Sequence, residues 1–117
     1  MVKIVKRIEN GIKYDDIYLT RGDTLYLTAI PKDQDGNPYE PQEGDEIRFA
    51  LKSKFTDSNP YLVKPVDIET FVMKLESEDT KNMPMDSKWV YDIELSKSNG
   101  DIATYIMGRF SPMKEVH

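Results

Sequence analysis

The run Trp89-Val90-Tyr91-Asp92-Ile93-Glu94-Leu95 and, after Ser98-Asn99-Gly100-Asp101, the run Ile102-Ala103-Thr104-Tyr105-Ile106-Met107-Gly108-Arg109-Phe110 decide the fold class. In the first, Trp89, Tyr91, Ile93 and Leu95 share a face and Lys88, Asp92 and Glu94 lie opposite. In the second, Ile102, Thr104, Ile106, Gly108 and Phe110 keep the same period of two. That alternation marks strands with one face in a core and the other in water. Asn and Gly both tolerate positive φ, so Asn99-Gly100 suits the type I′ turn that matches strand twist, and the two runs are expected to form a hairpin. Trp89 and Tyr91 are expected in the core.

The same period recurs outward from this pair. Ile47, Phe49 and Leu51 alternate between Glu46 and Lys52, Leu25, Leu27 and Ala29 within Thr24 to Ile30, and Ile17 and Leu19 within Ile12 to Thr20. Phe71, Met73 and Leu75 make another run, Val2 to Ile8 a further one, and Met113 to Val116 is the candidate for an eighth. Asn10-Gly11, Arg21-Gly22-Asp23, Asp35-Gly36-Asn37-Pro38 and Gly44-Asp45 punctuate the runs as turns do in all-β domains. Only Glu76 to Asn82 reads as helical, and Pro84 limits it to about one turn. Strands without an amphipathic helix to cover them must bury their apolar faces on each other. The expectation is therefore an all-β, two-sheet antiparallel β-sandwich of seven or eight short strands, with long connections at Pro31 to Gly44 and Thr56 to Asn59.

At 117 residues the chain makes one domain, 1–117. Hydrophobic residues are 38% and charged residues 32% of it, enough for one core in a charge-rich surface. The net charge of −5 removes the usual electrostatic basis for gripping nucleic acid or an anionic membrane. There is no cysteine, and the one histidine is His117, so thiolate metal sites, cysteine nucleophiles and a positioned histidine base are all excluded. The first residues interleave charge with apolar side chains and carry no cleavage site, so neither a signal peptide nor a membrane span is expected.

Few features are left to carry chemistry. Asp33-Gln34-Asp35-Gly36-Asn37 spaces oxygen ligands as a calcium loop begins, but its glycine comes too early, at the fourth position instead of the sixth, and Gly44 stands where an EF-hand has Glu. A turn in which Asp33 caps its own backbone is the preferred reading. Arg21-Gly22-Asp23 matches the integrin tripeptide, yet Gly22 is accounted for as a turn residue. The paired carboxylates Asp15-Asp16, Asp92 with Glu94, and Glu76-Glu78-Asp79 are expected on solvent faces and in turns, where they serve solubility. No catalytic residue, cofactor or metal site is assigned. Seven tyrosines are many for this length, and Tyr14, Tyr18, Tyr26 and Tyr105 would make an aromatic contact surface if they share an outward face.

The order of signals carries a resemblance. Leu19-Thr20-Arg21-Gly22-Asp23-Thr24-Leu25, Asp35-Gly36-Asn37-Pro38-Tyr39 and Gly44-Asp45-Glu46-Ile47-Arg48-Phe49 come first. Leu75 with Glu78-Asp79-Thr80-Lys81, Trp89-Val90-Tyr91-Asp92-Ile93-Glu94-Leu95 and Thr104-Tyr105-Ile106-Met107-Gly108-Arg109-Phe110 follow. From about Leu19 to Val116 the chain resembles the small immunoglobulin-like proteins encoded in phages and prophages of Gram-positive bacteria, similar to the N-terminal domain of phage baseplate upper proteins. It departs at Trp89, where Tyr is more usual, and at Asp86, where a turn glycine is commoner. The resemblance implies an immunoglobulin-like sandwich acting as a non-catalytic virion structural protein of a tail or baseplate. Its partners would be other phage structural proteins or further copies of itself, and it implies no catalytic residue. Val2 to Ile8 precedes the resembling region and has two destinations, its own sandwich or the sheet of a neighbouring subunit. The alternative function is a carbohydrate- or ligand-binding module using exposed tyrosines.

Overall fold

The computed structural model describes residues 2–33, 35–85 and 88–114. Asp86, His117 and the 115–116 part of the last expected strand lie outside the described residues. Eight strands and one short helix follow in the order β1 (Val2–Glu9), β2 (Ile12–Thr20), β3 (Leu25–Thr28), β4 (Glu46–Lys52), β5 (Leu62–Val66), β6 (Val72–Leu75), α1 (Ser77–Thr80), β7 (Trp89–Ser96) and β8 (Ile102–Met113). A six-stranded sheet in the order β1-β2-β8-β7-β4-β5 accompanies a two-stranded sheet of β3 and β6. Ile17 and Leu19 of β2, Phe49 and Leu51 of β4, Tyr91 and Ile93 of β7 and Phe110 of β8 join Leu25, Met73 and Leu75 in one buried core. The chain is thus an all-β sandwich, as the alternation predicted. Phe49 and Tyr91 stack at its centre with ring centroids 5.3 Å apart, an arrangement that contributes about 0.5–1.5 kcal/mol beyond the area buried.

Four expectations are corrected in detail. First, the sheet is mixed, because β2 runs parallel to β8, pairing Ile17 with Phe110 and Thr20 with Met113. Second, the two-residue turn falls at Asn10-Gly11, with φ of 52° and 77°, closing Glu9 onto Ile12. At Asn99-Gly100 only Gly100 has positive φ, and the Lys97–Asp101 loop closes through Gly100 N–H to Lys97 and Lys97 N–H to Asp101. Third, the period slips in β8. Ile93 faces Ile106 but Glu94 faces Thr104, leaving Tyr105 as the extra residue of a bulge. Ile102 and Thr104 therefore point to the face opposite Ile106, Gly108 and Phe110, and Ile102 is exposed. Fourth, Trp89 is half-buried at the rim of the core, its indole N–H donating to the Pro84 carbonyl at 3.2 Å, while Tyr91 is fully inside.

Beside the parallel ladder, side-chain-to-backbone bonds tie β2 to β7 and β8. The Asp15 carbonyl accepts the Tyr91 hydroxyl, and the Arg109 amide donates to the Asp16 carboxylate at 2.9 Å. Gly108, opposite Tyr91, lies beneath this crossing, and a Cβ there would stand 2.2 Å from the Asp15 carbonyl oxygen. Only glycine lets the two strands approach so closely. On the other side of the sandwich, Glu76 and Asp79 form a capping box for α1, and Thr80, fully buried, accepts the Gly22 amide at 2.9 Å.

Candidate assembly surface

β1 pairs along its whole length with β2, from Val2 opposite Leu19 to Glu9 opposite Ile12. Of the two destinations left open for this segment, the structure shows the first: it belongs to its own sheet. It nevertheless places no residue in the core, and Val2, Ile4 and Ile8 are 44%, 47% and 70% exposed. Leu19 and Ile17, opposite Val2 and Ile4, are buried in the core, whereas Ile8 lies opposite Lys13, outside it. The two-residue turn fixes which backbone groups are free. In such a hairpin the closing pair is hydrogen-bonded and the bonding alternates from there. Glu9, Arg7, Val5 and Lys3 therefore bond to β2, and the N–H and C=O groups of Ile8, Lys6, Ile4 and Val2 point away from it, along the edge of the sheet.

The opposite face of the hairpin is locked. Arg7 Nε donates to Asp16 at 2.7 Å, its Nη1 pairs with Glu9, and the guanidinium lies 4.3 Å from the Tyr14 ring centroid. Asp16 is 3% exposed. Burial alone would push its pKa up, but the Arg7 guanidinium and the Arg109 amide outweigh burial and hold it below the usual carboxylate range. One carboxylate thereby ties β1, β2 and β8 together. Asp92, on the same sheet face between Ala50 and Met107, is also buried, with Oδ2 2.8 Å from Lys52 Nζ and Oδ1 without a hydrogen-bond partner. The expectation that Asp16 and Asp92 face solvent is thus corrected. Each has a cation over it, Arg7 across the hairpin for Asp16 and Lys52 of β4 for Asp92.

The other expected features fall as follows. Asp33 Oδ1 accepts the amides of Asp35 and Asn37 at 2.9 and 3.0 Å, the self-capping turn preferred from sequence. Gly22 has φ of 88° in a turn closed by Asp23 N–H to Thr20, and Arg21 donates to the Met83 carbonyl at 3.0 Å, so the tripeptide is engaged by its own chain. The tyrosines do not gather. Tyr14 and Tyr18 lie on the outer face of the large sheet, opposite Arg7 and Lys3, and Tyr26 is exposed on the small sheet opposite Lys74. The Tyr105 hydroxyl is anchored to the Ala29 carbonyl at 2.7 Å. Asp45 accepts the Tyr39 hydroxyl and the amides of Gln42 and Ser98, joining the long 39–45 connection to the β7–β8 hairpin.

One feature escaped the sequence reading. Between the inward face of the hairpin and the loop after β3 lies a cleft of about 530 Å³. Lys6, Arg7, Lys13 and Lys32 line it, with Asp15 as its one acidic residue and Ile8, Ile30 and Ile106 as apolar walls. The sequence signal for half of it was present, since the Asn10-Gly11 turn sets Lys13 beside Ile8 and Asp15 beside Lys6. Lys32 arrives only through the fold. Among the described residues no group of three or more acids or histidines is placed to hold a metal ion, and no helix is long and apolar enough to cross a membrane. No protein-family model and no curated protein matches the sequence. The fold and the surface therefore carry the functional reading.

Proposed function

We propose that this chain is a non-catalytic structural module of a phage or prophage virion, part of a tail or baseplate, joined to neighbouring virion subunits through the free edge of β1. The observation that carries the reading is β1 itself. It is eight residues long, gives nothing to the core, exposes Val2, Ile4 and Ile8, and leaves alternate backbone groups open. An edge of that length and apolarity is a template for another chain, and strand addition draws affinity from main-chain hydrogen bonds. The opposite edge of the same sheet, β5, is blunted by Pro65. The resemblance in motif order supplies the virion setting. Division of Tyr14, Tyr18 and Tyr26 between opposite faces favours assembly over an aromatic platform for carbohydrate.

The test is capture of purified tail or baseplate proteins encoded by neighbouring genes, by the wild-type chain and by Ile4→Pro. Proline at position 4 removes an outward N–H and leaves the β1–β2 ladder bonds in place. Capture of one such protein by wild type, reduced at least about tenfold by Ile4→Pro, is the expected result. Binding of none of them by wild type, or undiminished capture by a folded Ile4→Pro chain, would refute the reading.

A further inference from the structure

The cleft beside the hairpin gives the partner a chemistry. Three lysines of an acidic chain, Lys6, Lys13 and Lys32, converge on it, with one acidic residue, Asp15. Arg7 is committed to Asp16 and Glu9. Lys6, Lys13 and Lys32 have no carboxylate within ion-pair distance among the described residues, in contrast to Lys52, Lys64 and Lys74, which have Asp92, Asp79 and Glu76. Asp33 and Asp35 stand in the same loop as Lys32, but Asp33 Oδ1 is occupied by the amides of Asp35 and Asn37. Exposed apolar groups lie among these lysines, since Ile8 is 70% and Ile30 48% exposed.

We propose that this cleft is the docking site for an acidic segment of a partner protein, whose carboxylates meet Lys6, Lys13 and Lys32 while its apolar side chains cover Ile8, Ile30 and Ile106. The inference rests on the assembly reading above and adds the character of the partner to it. A second copy of this chain is the poorer occupant. β1 carries Lys3, Lys6 and Arg7 against Glu9 alone, so antiparallel pairing of two β1 edges sets cations against cations. A basic or neutral partner would leave three ammonium groups uncompensated at the interface.

The probe is a synthetic ten-residue peptide of alternating Glu and Leu, with a Lys-Leu peptide as control, titrated into the isotope-labelled full chain and followed by amide chemical shifts. The Glu-Leu peptide is expected to shift Lys6, Ile8, Lys13, Ile30, Lys32 and Ile106 saturably, the Lys-Leu peptide not to. The triple variant Lys6→Glu, Lys13→Glu, Lys32→Glu should weaken binding about tenfold or more, whereas Lys88→Glu, outside the cleft, leaves it within about twofold. Raising salt from low to about 0.5 M should weaken binding to wild type because the Debye length shortens to a few ångström. No saturable shift up to millimolar peptide overturns the proposal, as does equal binding by the triple variant or shifts confined to another surface. Self-association of the wild-type chain that the triple variant abolishes would assign the cleft to a second copy and overturn it too. Peptide binding without capture of any virion protein would leave the cleft standing and remove the virion reading. Capture lost in Ile4→Pro, without peptide binding to wild type, would do the reverse.

Discussion

Replacing Gly108 by alanine tests the account of how β2 joins β8. The added Cβ would lie 2.2 Å from the Asp15 carbonyl oxygen, 2.7 Å from its carbon and 3.1 Å from Asp16 Oδ1. The atoms in the way are mostly backbone, so no rotamer change relieves the clash and β2 must move. Overpacking of this kind costs about 1–3 kcal/mol, and more where the main chain is displaced. Moving Asp15 and Asp16 also loosens the Tyr91 hydroxyl and the Arg109 amide, the latter bonded to a charged group and contributing about 1.5–3 kcal/mol. Together the loss is about 3–5 kcal/mol out of a total near 5–15 for a domain of this size. Urea unfolding followed by the fluorescence of Trp89, the single tryptophan, measures it directly. Gly100→Ala is the control, because Gly100 has φ of 97° but nothing within 4 Å of a Cβ, and it should cost about 1 kcal/mol from backbone strain alone. If Gly108→Ala costs no more than Gly100→Ala, the close approach of β8 to Asp15 is not what holds this junction.

Acid should unfold the chain through Asp16 and Asp45. The Arg7 pairing and the Arg109 amide overcome burial to depress the pKa of Asp16, and the Gln42 amide, Tyr39 hydroxyl and Ser98 amide depress that of Asp45. Their stabilisation is complete above the unfolded carboxylate pKa near 4 and is lost as pH falls through the lower folded values, so Asp16→Asn should flatten stability against pH in that window. At the alkaline end, burial raises the phenol of Tyr91, helped by the charges of Asp15 and Asp16, and burial alone raises that of Tyr105, while the bond to Asp45 chiefly raises Tyr39. An ultraviolet titration of phenolate should show these groups ionising late, with stability falling once pH exceeds the ordinary phenol value of about 10. Lys52→Met should cost about 3 kcal/mol by leaving Asp92 buried and unpaired, and the double variant with Asp92→Leu should recover most of it, as a denaturant double-mutant cycle would show.

Most strands were readable because a half-buried strand must alternate, and Ile47-Phe49-Leu51 or Tyr91-Ile93-Leu95 has no other economical fold. β5 was not readable. Pro65 interrupts its pattern, and only the edge position, where no neighbour requires the missing N–H, makes it a strand. The bulge at Tyr105 inserts one residue without changing composition, so Ile102 looked inward until its partner Ser96 was known. The type I′ turn was expected at Asn99-Gly100 and is found at Asn10-Gly11. Their difference lies in the neighbours, since Asn99 uses its carboxamide to accept the Asp101 amide and keeps negative φ, leaving Asn10 to enter the left-handed region. Asp16 and Asp92 occupied polar positions of their strands and so read as solvent-facing. Arg7 reaches Asp16 only once the Asn10-Gly11 turn sets the hairpin register, and Lys52 reaches Asp92 across forty residues, a pairing set by sheet order.

The Arg7–Asp16 ion pair helps explain why a strand outside the core is ordered. An isolated two-stranded ribbon is marginal in water, and β1 gains no burial from the second sheet. Beyond its ladder with β2, it is held on the outer face, where Arg7 pairs with a β2 carboxylate that also binds β8. The stabilising groups thus sit on the outer face of the sheet, while the free backbone groups and the exposed Val2, Ile4 and Ile8 lie along the edge and the inward face. In the proposed role this separation matters, because an edge held in its extended form before a partner arrives loses little further conformational freedom on pairing. Arg7→Met is then expected to weaken partner capture without touching the edge itself. It would do so by letting β1 fray, with faster amide exchange from Lys3 to Glu9 as the measurable sign, and capture that persists when β1 exchanges freely would show that its order is unrelated to assembly.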